Sequence, residues 1–261
     1  MFTADGDTFV PSEHARGPWD PDQMHGGAPA ALVARAVERL EAPVPMRCAR
    51  LAYEFVGAVP MAPVEVQARV VRGGKRLQLV EASLTSGGAE VLRARGTLLR
   101  VADVHLPPEA AAPDEAVPGP EEGHEGRWLG GDETTGFHLT AMELRFVRGD
   151  WGQGPAVGWF RLRMPLVAGE EPSPLQRTIA AADFGNGLSR ALDFRTHLFV
   201  NTDLTVHLQR EPVGEWVALD ARTDLDGEGV GQATSVLRDE RGRLGVAAQS
   251  LYVAERGETS P

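Results

Sequence analysis

The sequence predicts an α+β protein built from two copies of one unit, each an apolar helix followed by an antiparallel sheet. When the chain is shifted by 153 positions against itself, segment 51–99 aligns without a gap with segment 204–252. Both segments alternate apolar and polar residues in runs separated by glycine-containing turns, a pattern typical of half-buried strands. An alanine-rich stretch of helical spacing precedes each, at 28–40 and 174–192. The repeat therefore predicts a fused pseudo-dimer. Its identical residues, numbered in the first copy, are Leu51, Val64, Ala68, Arg69, Gly74, Leu84, Ala94 and Leu98.

The elements follow the same order in both copies. The first copy is predicted to contain a strand near 8–11, a helix after His25-Gly26-Gly27, and strands near 49–57, 64–72, 77–86 and 91–101. In the second copy the helix within 174–192 is predicted to lie among strands near 141–148, 157–164, 198–208, 215–223, 229–238 and 244–253. A single apolar helix needs burial on most sides, and a curved antiparallel sheet wrapped round it provides that burial.

A stretch rich in Pro, Ala, Glu and Gly separates the copies at 106–135. Such a composition does not support a packed core, so we interpret it as a linker. The predicted organisation is an N-terminal unit at 1–105, this linker, a C-terminal unit at 136–256 and a tail at 257–261.

Composition limits the classes of partner and compartment. The chain has 26 Lys and Arg against 37 Asp and Glu, a net charge of −11, which argues against nucleic acid or an anionic membrane as a partner. A single cysteine, Cys48, allows neither an intramolecular disulfide nor a cysteine-only metal site and fits a reducing compartment. The sequence contains no signal-peptide pattern and no apolar run long enough to span a bilayer. We therefore expect a cytoplasmic protein. His105, His124 and His138 have no metal-ligand spacing, so no metal is expected.

Four segments in this order resemble the acyl-CoA thioesterases similar to thioesterase II, which have a double hotdog fold. They are WDPDQMHGGAPAALVARAVE in the first half, and AADFGNGLSRALDF, FVNTDLTVHLQREPVGEWVALDART and GVAAQSLYV in the second. The resemblance covers nearly the whole chain outside the linker. It implies an acyl thioester substrate, no cofactor apart from the CoA of the substrate itself, and association into a homodimer or higher homo-oligomer.

Gln249 is a candidate because the duplication itself singles it out. It aligns with Gly96 of the first copy and shares a strand face with Ala247, Leu251 and Val253. A buried amide without partners costs about 1–3 kcal/mol, so this pattern predicts that Gln249 binds something. The resemblance implies that it holds an attacking water together with an aspartate. The alternatives are that this face points outward, or that the amide bonds only to backbone.

Asp183 belongs to a polar stripe with Asn186 and Arg190, and this stripe runs beside an apolar one. On a surface helix the polar stripe would face water, whereas between two hotdog units it would face a substrate channel. The resemblance places the catalytic aspartate of the family at Asp183. Alternatively, Asp183 or Asn186 is an N-cap in a helix broken by glycines at 185 and 187. The apolar stripe consists of Phe184, Leu188 and Leu192.

Asn201 is a departure from the family pattern. The resemblance implies that it stands where thioesterase II has a threonine that shares the water with the aspartate and the glutamine. Asparagine can also form a hydrogen bond to a water, but its side chain differs from that of threonine in length and geometry. Asp203 and His207 follow two and six residues later and could share its strand face, and we interpret both as part of a polar strand face.

His25, Gly26 and Gly27 precede the first helix, where uncovered N–H groups lie at the positive end of the helix dipole. Such donors suit a developing oxyanion. The resemblance makes Gly27 the candidate donor and His25 a supporting residue. The alternative is an ordinary glycine-containing helix start with an exposed histidine.

Together these residues predict hydrolysis of an acyl thioester by water, with Asp183 as general base or nucleophile and with Gln249 and Asn201 orienting the water. One site per chain is expected, because the first helix segment APAALVARA offers no carboxylate and Gly96 replaces the glutamine. The absence of G-x-S-x-G argues against a serine nucleophile of the α/β-hydrolase type. The competing hypothesis is a non-catalytic protein that binds acyl thioesters or small apolar ligands. Whether the thioester is carried by CoA or by a carrier protein stays open.

Overall fold

A computed structural model describes residues 1–110, 114–126 and 134–257. The described residues form one antiparallel sheet of 14 strands that wraps round the helices. The strands of the first unit are β1 Phe2–Asp5, β2 Thr8–Pro11, β3 Met46–Phe55, β4 Val64–Arg72, β5 Leu77–Ser86 and β6 Ala89–Arg100. Those that follow are β7 His124–Glu125, β8 Met142–Arg148, β9 Ala156–Leu162, β10 His197–Asn201, β11 Asp203–Leu208, β12 Trp216–Leu225, β13 Val230–Asp239 and β14 Gly242–Glu255. The helices are α1 Gly27–Glu38, α2 Pro174–Ala182 and α3 Gly185–Leu188.

The strand order makes the duplication visible. β3 pairs with β11 at the centre of the sheet, and outward from this pair the order is β6-β5-β4-β2-β1 on one side and β14-β13-β12-β9-β8 on the other. The 153-residue shift maps Leu77–Ser86 onto Val230–Asp239, so β5 and β13 coincide at both ends. Each strand of the first unit thus has a counterpart in the second. The architecture is the α+β pseudo-dimer that the sequence predicts.

Irregularities of the sheet are duplicated as well. Cys48 lies opposite Leu98 and Arg50 opposite Thr97, which leaves Ala49 as an extra residue in β3. In the second unit, Asn201 lies opposite Leu251 and Thr205 lies opposite Ala248. Three residues therefore separate Asn201 from Thr205, but only two separate their partners on β14. The extra residue is 202, which lies between the end of β10 and the start of β11. Positions 49 and 202 are related by the same shift of 153. Such bulges bend a strand and redirect its side chains.

The two long helices lie side by side in the interior. α1 is buried along almost its whole length, because small and aliphatic side chains face the sheet and α2 on all sides. The hydroxyl of Tyr53 on β3 donates to the Ala30 carbonyl within α1, at 3.2 Å. Asp183 at the C-terminal end of α2 reaches His25 before α1, and Glu38 at the end of α1 reaches Ser173 before α2, so the helices are antiparallel. In the described residues, no helix is long and apolar enough to cross a membrane.

The described parts of 106–135 contact the second unit. The Asp114 carboxylate pairs with Arg238, and the Pro118 carbonyl accepts a 2.7 Å bond from the indole of Trp159. β7 adds two residues to the sheet edge beside β8. Residues 111–113 and 127–133 of the predicted linker lie outside the described residues, as does the predicted tail except Gly257.

Candidate active site

A cavity of about 320 Å³ opens at the boundary between the two units. Its walls come from the loop before α1 and the end of β3 in the first unit, and from the α2–α3 region and β10 in the second. Neither unit alone forms it. Its lining includes Trp19, Met24, His25, Gly26, Phe55 and Val59 from the first unit and Asp183, Phe184, Asn186, Gly187, Phe194 and Asn201 from the second.

Asp183 is the carboxylate of this cavity. α2 begins at Ser173, whose hydroxyl caps the Gln176 N–H, and ends at Asp183 as the C-cap residue. Asp183 is 6% exposed. Its Oδ1 accepts bonds from the amides of Asn201 at 2.9 Å and Gln249 at 3.2 Å. Asp183 is therefore a buried carboxylate held in place by two side-chain amides, and it does not serve as an N-cap.

Gln249 lies on the inner face of β14 with 3% exposure. Its Nε2 donates to Oδ1 and to the backbone carbonyl of Asp183, both at 3.2 Å, and its Oε1 accepts the Asn186 N–H at 3.0 Å. The amide thus joins the end of α2 to the start of α3. A Cβ at Gly185 would lie 3.0 Å from Gln249 Oε1 and 2.8 Å from Ser235 Oγ, so glycine allows α3 to approach the sheet this closely. Gln249 therefore points inward and bonds to the Asp183 carboxylate as well as to backbone, so both alternatives, an outward face and bonds to backbone alone, are wrong.

The bulge at residue 202 positions Asn201. Because of the extra residue, Asn201 points to Asp183, while Asp203 bonds to the Ser250 N–H and His207 is exposed on the other face. The sequence-based expectation that Asp203 and His207 share the face of Asn201 is therefore wrong. The physical reason is that a bulge breaks the two-residue alternation of a strand.

His25 lies partly buried between two aromatic rings and faces Asp183. Its ring centroid lies 4.7 Å from that of Phe137 and 4.5 Å from that of Phe184. Nδ1 is 3.0 Å from Asp183 Oδ2 and 3.1 Å from the Gly27 nitrogen. One nitrogen cannot donate to the carboxylate and accept from Gly27 together. The Gly27 N–H donates to Nδ1, and Asp183 Oδ2 lies in close polar contact with the same nitrogen.

Gly26 and Gly27 differ in their relation to the cavity. Gly26 lines the cavity, whereas Gly27 lies behind it against α2. A Cβ at Gly26 would lie 2.9 Å from Asp183 Oδ2 and 2.8 Å from Phe55 Cζ. Only glycine lets the start of α1 approach the carboxylate this closely. The N–H groups at this helix start lie at the positive end of the α1 dipole.

The corresponding position of the first unit carries different chemistry. The 153-residue shift relates Asn201 to Cys48 and Gln249 to Gly96, and a smaller cavity of about 220 Å³ lies beside Cys48. A carboxylate that the sequence analysis missed, Glu38, lies at the end of α1 and accepts a 2.8 Å bond from the Gln176 amide. Partial burial between the helices raises the pKa of the Glu38 carboxyl. The corresponding site of the first unit therefore contains a carboxylate, but Cys48 and Gly96 replace the two amides that hold Asp183 in the second unit.

Family models match both halves of the chain. The acyl-CoA thioesterase N-terminal domain matches residues 15–99, and the acyl-CoA thioesterase C-terminal domain matches residues 108–253. The chain belongs to the acyl-CoA thioesterase family. A search of curated proteins gives no match.

Solved structures confirm the double hotdog fold of this acyl-CoA thioesterase family member. The "putative thioesterase II" of Thermobifida fusca YX is 20% identical over 97% of this chain and 95% of that one, with a TM-score of 0.72. A hotdog-fold protein of unknown function from Alicyclobacillus acidocaldarius is 18% identical over 97% and 96%, with a TM-score of 0.74. The acyl-CoA thioesterase II TesB2 of Mycobacterium marinum is 13% identical over 92% of both chains, with a TM-score of 0.66.

The sequence analysis missed the aromatic part of the site. Trp19 packs against Phe194 and Phe199 with ring centroids 4.7 and 5.0 Å away, and so joins the first unit to the second beside the cavity. Phe55 and Phe194 line the same cavity. Trp19 belongs to the segment that carries the family resemblance, but its partners are about 175 residues away in sequence. No local pattern joins residues at that separation.

Proposed function

We propose that this protein hydrolyses acyl thioesters by direct attack of water at the cavity between its two units. The observation that carries the proposal is the buried Asp183 carboxylate, which contacts two amides and a histidine beside the N-terminus of α1. This arrangement supplies a base whose orientation two amides fix, and a positive helix end for the carbonyl oxygen.

Water activation is assigned to Asp183, Asn201 and Gln249. The amide Nδ2 of Asn201 and Nε2 of Gln249 both donate to Oδ1 of Asp183, which fixes the plane of the carboxylate. A carboxylate held in one orientation, with a water beside it, suits general-base catalysis because the proton acceptor is already aligned. We favour the base over the nucleophile for this reason. Incorporation of ¹⁸O from labelled water into the Asp183 side chain in a single turnover would contradict this choice.

Stabilisation of the oxyanion is assigned to the start of α1. Gly26 lines the cavity next to Asp183, and its position supports a carbonyl oxygen bound at its N–H. The Gly27 N–H donates to His25 Nδ1 and lies behind the cavity, so the carbonyl oxygen is assigned to Gly26 in place of Gly27, within the positive field of the helix end. One oxyanion donor of this type contributes roughly 3–4 kcal/mol elsewhere.

The test is the release of free CoA from a panel of short, medium, long and aromatic acyl-CoA esters. Asp183→Asn is expected to abolish turnover. Asp203→Asn is the matched control, because Asp203 lies two residues from Asn201 and points to the opposite face, where an amide oxygen still accepts the Ser250 N–H. Turnover by Asp183→Asn would overturn the assignment of the base. Binding of the esters without turnover by the wild-type chain would overturn hydrolysis and favour the binding protein.

A further inference from the structure

Asn186 is a buried polar residue of the cavity wall without a role in the proposed reaction. It lies in α3, three residues after Asp183, and is 5% exposed. Its backbone N–H donates to Gln249 Oε1 at 3.0 Å, and its side-chain Nδ2 donates to the Phe199 carbonyl at 2.8 Å. One residue therefore contacts both strands that carry the amides of the site, β14 with Gln249 and β10 with Asn201.

The backbone contact of Asn186 fixes which end of the Gln249 amide faces Asp183. Because Oε1 accepts the Asn186 N–H, Nε2 is directed to the Asp183 carboxylate and carbonyl. The reverse orientation would set one N–H donor against another and an amide oxygen against the carboxylate. This contact uses only the main chain of residue 186. It therefore survives a change of side chain and does not by itself explain an asparagine at this position.

The side-chain contact of Asn186 lies at the free edge of β10. Among the described strands, β10 pairs only with β14. Phe199 lies opposite Val253, whose N–H donates toward the β13 side of the sheet, so the Phe199 carbonyl points away from β14. The Asn186 amide thus gives this carbonyl a bond that the sheet does not provide. Asn201 follows two residues later, at the end of β10, and reaches the catalytic carboxylate from there.

The other half of the Asn186 amide makes no compensating bond. Its Oδ1 is buried and has no hydrogen-bond partner among the described residues. A buried acceptor without a partner destabilises a fold, whereas an apolar side chain of similar shape, such as leucine, avoids that cost. Stability alone therefore does not favour asparagine here. The bond from Nδ2 to β10 is the one feature that an apolar side chain of equal size would not supply.

A second side chain joins the same short helix to a different strand. Ser189, which follows α3, is fully buried, and its hydroxyl lies 2.7 Å from the Thr223 hydroxyl on β12. β12 carries none of the residues assigned to the reaction. The α3 region is thus bonded to the sheet once toward the site, by Asn186, and once away from it, by Ser189. The two bonds allow positioning of the site to be separated from general anchoring of the helix.

We propose that Asn186 is a positioning residue for the hydrolysis. Its side chain holds the end of β10, so that Asn201 keeps the Asp183 carboxylate in the orientation that the base requires. This inference rests on the proposed function and adds to it a residue that acts through Asn201. The bond from Asn201 Nδ2 to Asp183 Oδ1 is 2.9 Å long, and bonds of this kind weaken beyond about 3.2 Å. A displacement of β10 by about 0.5 Å is therefore enough to release the carboxylate.

The kinetic test is a double-mutant cycle on kcat for CoA release with Asn186→Leu and Asn201→Ala. Asn186→Leu is expected to lower kcat by about 10- to 100-fold, with little change in KM or in the midpoint of urea unfolding. Because Asn186 acts through Asn201, the double variant should be no slower than Asn201→Ala alone. Ser189→Ala is the matched control, which should lose stability and keep its kcat. Losses that multiply in the double variant, an unchanged kcat in Asn186→Leu, or an equal loss in Ser189→Ala would each overturn the proposal.

A nuclear magnetic resonance measurement separates this inference from the proposed function. The chain contains two asparagines, Asn186 and Asn201, so selective ¹⁵N-asparagine labelling gives two pairs of side-chain amide signals. In Asn186→Leu and Asn186→Ala the one remaining pair belongs to Asn201. We expect this pair to shift and to exchange with water about tenfold faster, and the Asn201 pair of Ser189→Ala to do neither. That result supports the positioning role even if no thioester is hydrolysed. An unchanged Asn201 pair in both Asn186 variants overturns it, whatever the hydrolysis assay shows.

Discussion

Replacing Gly26 by alanine tests whether the close approach of α1 to Asp183 matters for the chemistry. The new Cβ would lie 2.9 Å from Asp183 Oδ2 and 2.8 Å from Phe55 Cζ, whereas ordinary contacts begin at 3.4 Å. The carboxylate or the backbone of α1 must therefore move by about 0.5 Å, and displacements of this order at a catalytic group lower rates by about 10- to 100-fold. Strain of this kind costs about 1–3 kcal/mol of folding stability.

The assay is kcat for CoA release at saturating ester, with the free energy of unfolding from urea titration measured in parallel. Gly227→Ala is the matched control, because nothing lies within 4 Å of its Cβ position in the turn before β13. We expect a lower kcat and modest destabilisation in Gly26→Ala, and neither in the control. A Gly26→Ala protein with unchanged kcat would refute the argument that the contact between Gly26 and Asp183 sets the geometry of the site.

Three further predictions concern regions outside the active carboxylate. Gly96→Gln is expected to lower stability by about 1–3 kcal/mol in urea unfolding, because its Cβ would lie 2.6 Å from Val80 Cγ2. An unchanged midpoint would contradict this. Burial raises the pKa of the Cys48 thiol to about 12, so a disulfide reagent at pH 8 should modify it about 10³-fold more slowly than a free cysteine until urea is added. Rapid modification of the folded chain would be inconsistent with that pKa. Burial, aided by the nearby His25, lowers the pKa of His138 to about 3. Since the unfolded chain then binds more protons between pH 6.5 and 3, stability should fall by up to about 5 kcal/mol as the pH drops through this window. His138→Gln should flatten that dependence, and an equal slope in both proteins would disprove the assignment.

Regular strands were predictable because period-two patterns bounded by turns specify them locally. The predicted strands at 64–72 and 77–86 have the same ends as β4 and β5. A predicted strand at 198–208 is instead two strands, since no residue preference marks a bulge at 202. β1 and β7 were missed, because strands of four and two residues are too short to establish a period.

The site was predictable to different degrees for different residues. The inward face of Gln249 followed from the apolar neighbours on its strand, and its bond to Asp183 agrees with that pattern. The choice of Asp183 over other acidic residues came from the family resemblance. Glu38 was missed because its partner Gln176 lies across the helix pair and 138 residues away. Contacts of this kind depend on how the two units dock, which a local pattern does not encode.

Covalent linkage of the two units has a genetic consequence. In a homodimer of single hotdog units, positions 96 and 249 would be the same codon, and a residue suited to one site would be imposed on both. Here Gly96 accommodates the Val80 and Leu51 side chains against its backbone, while Gln249 holds a carboxylate. Fusion therefore allows positions 96 and 249 to mutate independently, because each has its own codon. One copy of the ancestral site is free to specialise in packing while the other retains its polar groups, and both changes accumulate independently within a single gene.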